Sequence, residues 1–229
     1  MNDPCDFNKK VIDLEYTDRY ILSMNKAERT RQYIIEKAAP IFNKKGINGT
    51  SLSDLTRATG LTKGSIYGNF NNKDDLAVAV FKYNVDNLTR FFACGIKSAE
   101  TFIDKLLAYP KAYRKLYKTM LAFGGCPILN TATEADDTHQ ALCRMTAEAI
   151  ELWRNTIIDL VENGKAAGEI RDDADAGIVA DIMISLFEGG GILSKVTGKD
   201  SYILSSIKQT EMIISSIASS DIQEHPKIV

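Results

Sequence analysis

Hydrophobic residues recur along most of the chain at spacings of three and four, the pattern of amphipathic helices with one buried face. Ile34, Ala38 and Phe42 show this spacing first, in a helix predicted over 26–45. Gly46 follows that helix and is a residue type that commonly ends helices. Because alternating β-branched residues are scarce throughout, the pattern predicts an all-α fold.

Two short helices are predicted next, joined by a tight turn. Ser51 and Asp54 have the spacing of a capping box at the start of the first one, and Gly60 is expected to end it. Thr62 is the predicted cap of the second, which covers 63–69 in barely two turns. The order is therefore long helix, short helix, turn, short helix.

The remainder of the chain reads as a larger helical body. Its helices are predicted over 73–94, 101–121, 137–167, 176–197 and 201–218. The segment FGGCPILN at 123–130 interrupts this pattern, because glycine and proline break helices. No internal repeat or low-complexity linker is visible. From the predicted helices we expect an N-terminal extension over 1–25, a helix-turn-helix head over 26–72 and a helical body over 73–229.

Charge is unevenly distributed between these parts. The chain has a net charge of −2, yet residues 26–75 hold nine Lys or Arg and five Asp or Glu, a balance of +4. A basic block in an acidic chain points to an anionic partner such as nucleic acid, although a solvated surface could also carry it.

Composition narrows the remaining classes of protein. The chain is 45% hydrophobic and 25% charged, as is ordinary for soluble globular proteins. No apolar run approaches the length of a membrane span and no secretory signal opens the sequence, so we expect a cytoplasmic protein without a membrane partner. The four cysteines and two histidines lack the spacing of metal ligands, so neither a metal nor a cofactor is expected.

The turn and second short helix carry a helix-turn-helix signature, with Thr-Lys-Gly-Ser at 62–65. The major groove of DNA admits one α-helix, whose N-terminal residues meet base edges. The small residues Gly64 and Ser65 would allow close approach. Ile66 and Phe70, four residues apart, would anchor the opposite face of the helix.

The stretch TSLSDLTRATGLTKGSIYGNFNNKDDL resembles the DNA-binding signature of the tetracycline-repressor (TetR) family of bacterial regulators, over about residues 28–80. GGCPILNTATEADD, NGKAAGEIRDDAD and the closing helices are similar to that family's ligand-binding and dimerisation body. The resemblance implies a homodimeric repressor, released from a palindromic DNA operator by a small-molecule effector. It implies DNA contacts from Thr50, Thr62, Lys63, Gly64, Ser65, Tyr67, Asn69 and Lys73. Asn69 departs from the family, in which histidine is common there.

The resemblance also implies a ligand cavity and a dimer interface in the body. The cavity would be lined from a set of aromatic, methionine and cysteine positions, each of which could instead be core: Tyr109, Tyr113, Tyr117, Met120, Phe123, Cys126, Met145, Trp153, Met183 and Phe187. Three glycines at 189–191 would destabilise a helix by about 1 kcal/mol each against alanine, which suggests close helix approach or a local kink. The predicted interface comprises Leu186, Gly189, Gly190, Ile207 and Ile214.

Two other classes of function compete with this interpretation. An enzyme is not expected, because no Ser-His-Asp arrangement, phosphate-binding loop or HExxH motif is visible. The alternative is a helical small-molecule-binding protein with weak or lost DNA binding, a possibility raised by Asn69 and the acidic extension at 1–25.

Overall fold

The computed structural model describes residues 24–219, and all of its regular elements in that range are helices. They are α1 (Lys26–Gly49), α2 (Leu52–Thr59), α3 (Lys63–Tyr67), α4 (Lys73–Ser98), α5 (Phe102–Ala122), α6 (Pro127–Ala135), α7 (Gln140–Ala166), α8 (Ala176–Thr197) and α9 (Ser201–Ile217). An isolated antiparallel bridge joins Ile170 and Ala218. The prediction of an all-α fold is confirmed.

One helix was missed by the sequence pattern. We predicted an interruption across FGGCPILN, but only its first part is irregular, where Gly124 and Gly125 have φ of 105° and 91°. Pro127 then begins α6, since proline fits the first position of a helix, where its missing N–H is not needed. Pro127, which the sequence pattern marks as a helix breaker, is therefore the first residue of a helix.

The described chain forms two compact units. The first consists of residues 24–91 and 122–147, and the second of 92–121 and 148–219. The first unit thus extends beyond the predicted head of 26–72, because α6 packs on α1. The predicted extension over 1–25 lies almost wholly outside the described residues.

The core of the first unit lies where α1 packs on α2 and α2 packs on α3. Ile34, Leu55 and Ile66 are almost fully buried there, one from each helix. The hydrophobic spacing therefore marked the buried face correctly.

The start of α1 at Lys26 is fixed by a capping box. The Asn25 side chain accepts hydrogen bonds from backbone N–H groups, and the Glu28 side chain accepts the Asn25 N–H.

Asp54 joins α2 to the end of α1. Its carboxylate accepts hydrogen bonds from the Lys45 Nζ at 2.8 Å, the Arg57 guanidinium at 2.6 Å and the Ser51 hydroxyl at 2.8 Å. The predicted capping box is confirmed, since the Ser51 side chain accepts from the Asp54 N–H in return. The hydrogen bonds from Lys45 and then Ser51 hold the pKa of Asp54 well below its usual range.

In the second unit, α9 packs along α8. A Cβ on Gly190 would lie 2.9 Å from the Ser206 Cβ and 3.1 Å from the Ile203 Cα, so this glycine lets the two helices approach closely. Ile207 and Ile214 are 0% exposed within a single chain. The assignment of Gly190, Ile207 and Ile214 to a dimer interface has no support from the structure, because all three are already buried within one chain: Gly190 of α8 lies against α9, and the two isoleucines belong to α9.

A different face of α8 is apolar and exposed. Ile178, Ile182, Leu193 and Val196 are spaced on one side of the helix, and Val196 is 76% exposed. Gly189 lies on the same side with no atom within 4 Å of the position of a Cβ. By length and composition, α8 alone among the described helices could cross a membrane, a feature that the search for long apolar runs did not anticipate. Its exposed apolar residues are one-sided, as in a surface helix that meets a partner.

The depressed pKa of Asp54 predicts a pH-dependent stability. Its contacts add to the free energy of unfolding above the unfolded-state pKa of about 3.9, and this contribution is lost as the pH falls toward the folded-state pKa. We therefore expect Asp54→Asn to lower the melting temperature most at neutral pH and progressively less in acid. Circular dichroism melts from neutral pH to about pH 2 measure this.

The control for that experiment is Asp137→Asn, which removes an exposed carboxylate from the same compact unit. It should change the melting temperature little at any pH. A constant difference between the Asp54→Asn variant and the wild type across the whole pH range would contradict the assigned role of Asp54.

Candidate nucleic-acid interface

The helix α3 is held at both ends and along one side. The Thr62 hydroxyl accepts the Ser65 N–H at 3.2 Å, and the Asn69 amide donates to the Ser65 carbonyl at 2.8 Å. Ile66 and Phe70 are buried beneath the helix, as predicted. The cap at Thr62 is confirmed. The Asn69 amide nitrogen satisfies a backbone carbonyl in the last turn of α3.

The opposite side of α3 faces solvent. Thr62, Lys63 and Gly64 are exposed, Ser65 is half-buried, and Tyr67 is 37% exposed. The sequence prediction that small and polar residues lead this helix toward an external partner is consistent with that arrangement. Their individual DNA contacts stay predictions.

Gly64 has no structural reason to be glycine within the described chain. A Cβ there would find only the Thr62 Oγ1, at 3.9 Å, and its backbone is not in the left-handed region. Glycine at a helical position costs roughly 0.5–1 kcal/mol against alanine. The missing side chain therefore leaves room outside the protein rather than inside it.

Thr50 and Lys73, two further predicted DNA contacts, lie close to each other. Thr50 is 1% exposed and its hydroxyl donates to the Gly46 carbonyl at 2.6 Å. The Lys73 Nζ lies 3.4 Å from the Thr50 carbonyl oxygen. Of the predicted DNA contacts, the Thr50 hydroxyl has the least support from the geometry, since it already has an internal acceptor. Lys73 is half-buried at the start of α4.

One contributor to this region was missed. The Arg31 guanidinium lies 4.5 Å from the centre of the Phe70 ring, on the solvent side of α1. Such a cation–π contact brings a positive charge next to the anchor of α3. The two residues are far apart in sequence, so no local pattern could have paired them.

The second unit contains an aromatic cluster built from four predicted cavity residues and one that was missed. Phe92 was missed, and its ring centre lies 5.2 Å from that of Tyr109 and 5.4 Å from that of Tyr113. Tyr113 stacks on Phe187 with ring centres 4.0 Å apart. The Trp153 ring lies 6.4 Å from both Phe92 and Tyr109. Burial raises the pKa of Tyr109.

The other predicted cavity residues are divided between the units. Met183 is fully buried in the second unit, and Tyr117 there donates to the Asp200 carboxylate at 3.1 Å. Met120 is half-buried in the same unit. Three members belong instead to the first unit: Phe123, Cys126 and Met145. Phe123 is exposed.

Comparison with known proteins matches both parts of the chain. Residues 34–80 match the family described as "Bacterial regulatory proteins, tetR family". Residues 103–209 match the family described as "Tetracyclin repressor-like, C-terminal domain". Among curated proteins, the HTH-type transcriptional repressor DhaR of Mycobacterium sp. (strain GP1) is 24% identical over 166 residues, which are 72% of this chain and 82% of DhaR. AcrR of Shigella flexneri is 36% identical over 62 residues, covering 27% of this chain and 29% of AcrR.

Solved structures agree. A TetR-family transcriptional regulator from Cytophaga hutchinsonii is 41% identical with a TM-score of 0.81, covering 86% of this chain and 98% of that one. A TetR transcriptional regulator from Chloroflexus aurantiacus J-10-FL is 35% identical with a TM-score of 0.81, covering 85% and 98%. With an exposed recognition helix, matches to both family regions and these similarities, the chain belongs to the TetR family of bacterial DNA-binding transcriptional regulators.

Proposed function

We propose that the chain is a cytoplasmic repressor that binds a palindromic operator as a homodimer and releases it when a small molecule binds the body. Two copies of α3 would enter successive major grooves, about 34–36 Å apart. This proposal rests on the difference between the two faces of α3. One face buries Ile66 against the protein, whereas Lys63 and Gly64 on the other face are exposed to solvent. Relatives named repressors and regulators support it.

The front of α3 suits the two kinds of contact that DNA recognition needs. Gly64 and Ser65 present little bulk, which lets the helix approach base edges closely. Lys63 and the hydroxyl of Tyr67, a residue that is 37% exposed, can meet phosphate oxygens, which position the protein on the duplex. Lys73, at the N-terminal turn of α4, would add a further phosphate contact.

Gly64→Ala tests this interface without disturbing the fold. A Cβ there meets nothing closer than 3.9 Å, so we expect the free energy of unfolding to stay equal or to rise by up to about 1 kcal/mol. Operator affinity should nevertheless fall at least about tenfold, the size of one lost base contact. The operator can be selected by the wild-type protein from a random duplex pool, and affinity measured by fluorescence anisotropy.

Gly191→Ala is the matched control, since it also adds a Cβ to an open helical glycine but lies in α8. It should leave operator affinity unchanged. Unchanged affinity in the Gly64→Ala variant would place DNA elsewhere. If the wild-type protein selects no duplex at low salt, the result contradicts this proposal and favours the alternative of a small-molecule-binding protein with weak or lost DNA binding.

The exposed face of α8 supports a homodimer. Ile178, Ile182, Leu193 and Val196 would be covered by the same face of a second copy, as in a two-fold interface. Gly189 on that face lets another helix come close, which keeps this residue, unlike Gly190, in the proposed interface. Leu186 is half-buried in α8 and stays a proposed member.

Val196→Glu should therefore convert the protein to a monomer. The side chain is 76% exposed, so the substitution costs the isolated chain little, but it would bury an unpaired charge in the interface. Sedimentation velocity measures the mass, and operator affinity should fall with it. Leu152→Glu, which changes a 59% exposed apolar residue of α7, should remain dimeric. A dimeric Val196→Glu variant, or a monomeric Leu152→Glu variant, would contradict the assignment of this face.

The aromatic cluster of the second unit is the proposed effector site. The Trp153 Nε1 atom is buried, and no hydrogen-bond acceptor for it lies within the described part of the chain. An effector with an acceptor atom beside the Trp153 ring would satisfy that donor, and aromatic faces nearby would bind an apolar body.

Trp153 is the single tryptophan of the chain, so its fluorescence reports on this cluster directly. Any compound that releases the operator in an anisotropy screen should change Trp153 emission with the same midpoint concentration. Trp153→Phe should shift that midpoint while leaving operator affinity without the compound unchanged. Release at an unchanged emission would move the effector site away from Trp153.

A further inference from the structure

The end of α1 is held by a carboxylate from α6. The helix breaks at Gly46, where φ is 72° and ψ is 177°, and a final turn follows over 47–49. The N–H groups of Ile47 and Asn48 open that turn and donate to the two oxygens of Glu134, each at 2.8 Å. One side chain of α6 thus satisfies two adjacent backbone donors of the head.

The Glu134 carboxylate occupies the space where a side chain at residue 46 would lie. A Cβ on Gly46 would lie 2.7 Å from the Glu134 Cδ and 2.8 Å from its Oε1, closer than real side chains come. The left-handed φ at the same residue also favours glycine. The break in α1 and the seat of Glu134 therefore depend on the same residue.

A second set of hydrogen bonds lies one turn earlier in α1. The Asn43 amide donates to the carbonyls of Phe123 at 2.9 Å and Gly125 at 3.0 Å. The Asn130 amide donates to the Asn43 carbonyl and to the Gly124 carbonyl, at 3.0 Å and 2.8 Å. The loop before α6 and the first turn of α6 are therefore both joined to α1 by hydrogen bonds.

The turn that Glu134 holds leads straight into the DNA-binding helices. The Thr50 hydroxyl donates back to the Gly46 carbonyl, and Ser51 is the N-cap of α2. The Lys73 Nζ approaches the Thr50 carbonyl from α4. Any change in the turn at 47–49 would therefore alter the direction in which α2 starts.

We propose that Glu134 is a positioning residue for operator binding: its grip on the Ile47 and Asn48 N–H groups sets the orientation of α2 and α3, and its release lowers DNA affinity. This inference rests on the proposed function. It assigns to α6 a role in regulation, because the loop gripping Asn43 continues directly along the chain from α5, which carries Tyr109, Tyr113 and Tyr117.

Glu134→Gln gives a test in which two explanations differ in sign. The amide keeps the length of the side chain but turns an NH₂ group toward one of the two donors, so one hydrogen bond is lost. We expect a roughly tenfold loss of operator affinity, within the usual range of coupling between sites. A mere charge effect would do the opposite, since removing a negative charge favours binding to a polyanion.

Two controls sharpen this result. Asp137→Asn removes an exposed carboxylate three residues away and should leave affinity equal or slightly raised. The slope of affinity against salt should be unchanged in Glu134→Gln, because no phosphate contact is lost. Affinity equal to or above that of the wild type in Glu134→Gln, or a reduced salt slope, would overturn the proposal.

Amide hydrogen exchange tests the contact itself, with or without DNA. In the wild-type protein the Ile47 and Asn48 amides should be protected, and Glu134→Gln should speed the exchange of at least one of them while leaving the α8 amides unchanged. Unprotected amides at both positions in the wild type would refute the inference. A wild-type protein that binds no duplex would refute the proposed function instead, while exchange would still decide the contact.

Discussion

A helix of five residues is too short to form by itself, and the proposed DNA-binding surface on α3 depends on how that limitation is overcome. Isolated helices of this length are unstable in water, because nucleation costs more than so few hydrogen bonds return. Burial of Ile66 and Phe70 supplies roughly 1.5–3 kcal/mol each. Caps from Thr62 and Asn69 satisfy the ends. Because these buried residues and caps stabilise α3, its exposed face can carry residues such as Gly64 that have low helix propensity.

Acidic residues in a protein that binds a polyanion need to be kept from opposing it, and the first unit turns two of them inward. Asp54 accepts hydrogen bonds from Lys45, Arg57 and Ser51, and those from Lys45 and Ser51 lower its pKa by favouring the charged form. Glu134 takes two backbone N–H groups. Both carboxylates hold the path of the chain from α1 into α2, so each has hydrogen-bond donors of the protein beside its charge.

Local features of the structure were predictable from sequence, and long-range pairings were not. The caps at Ser51 and Thr62 depend on residues within three positions of each other, and the bounds of α8 were predicted without error. Part of the dimer assignment lost its support because the spacing of isoleucines in α9 does not say what covers them; Ile207 and Ile214 are already buried within one chain, where α9 packs along α8. Phe92, Arg31 and Glu134 were missed because their partners lie far away in sequence.

Two independent demands meet at residue 46, and their combination has an evolutionary consequence. The backbone there has φ of 72° and ψ of 177°, a region that essentially only glycine occupies, and the neighbouring carboxylate leaves no space for any side chain. Homologues that retain an acid at the position of Glu134 should therefore be restricted to glycine at the position of Gly46. Lineages that lost the acid would still need glycine there for as long as the chain keeps this backbone, so the acid can change without the glycine, whereas the glycine cannot change without a change of backbone.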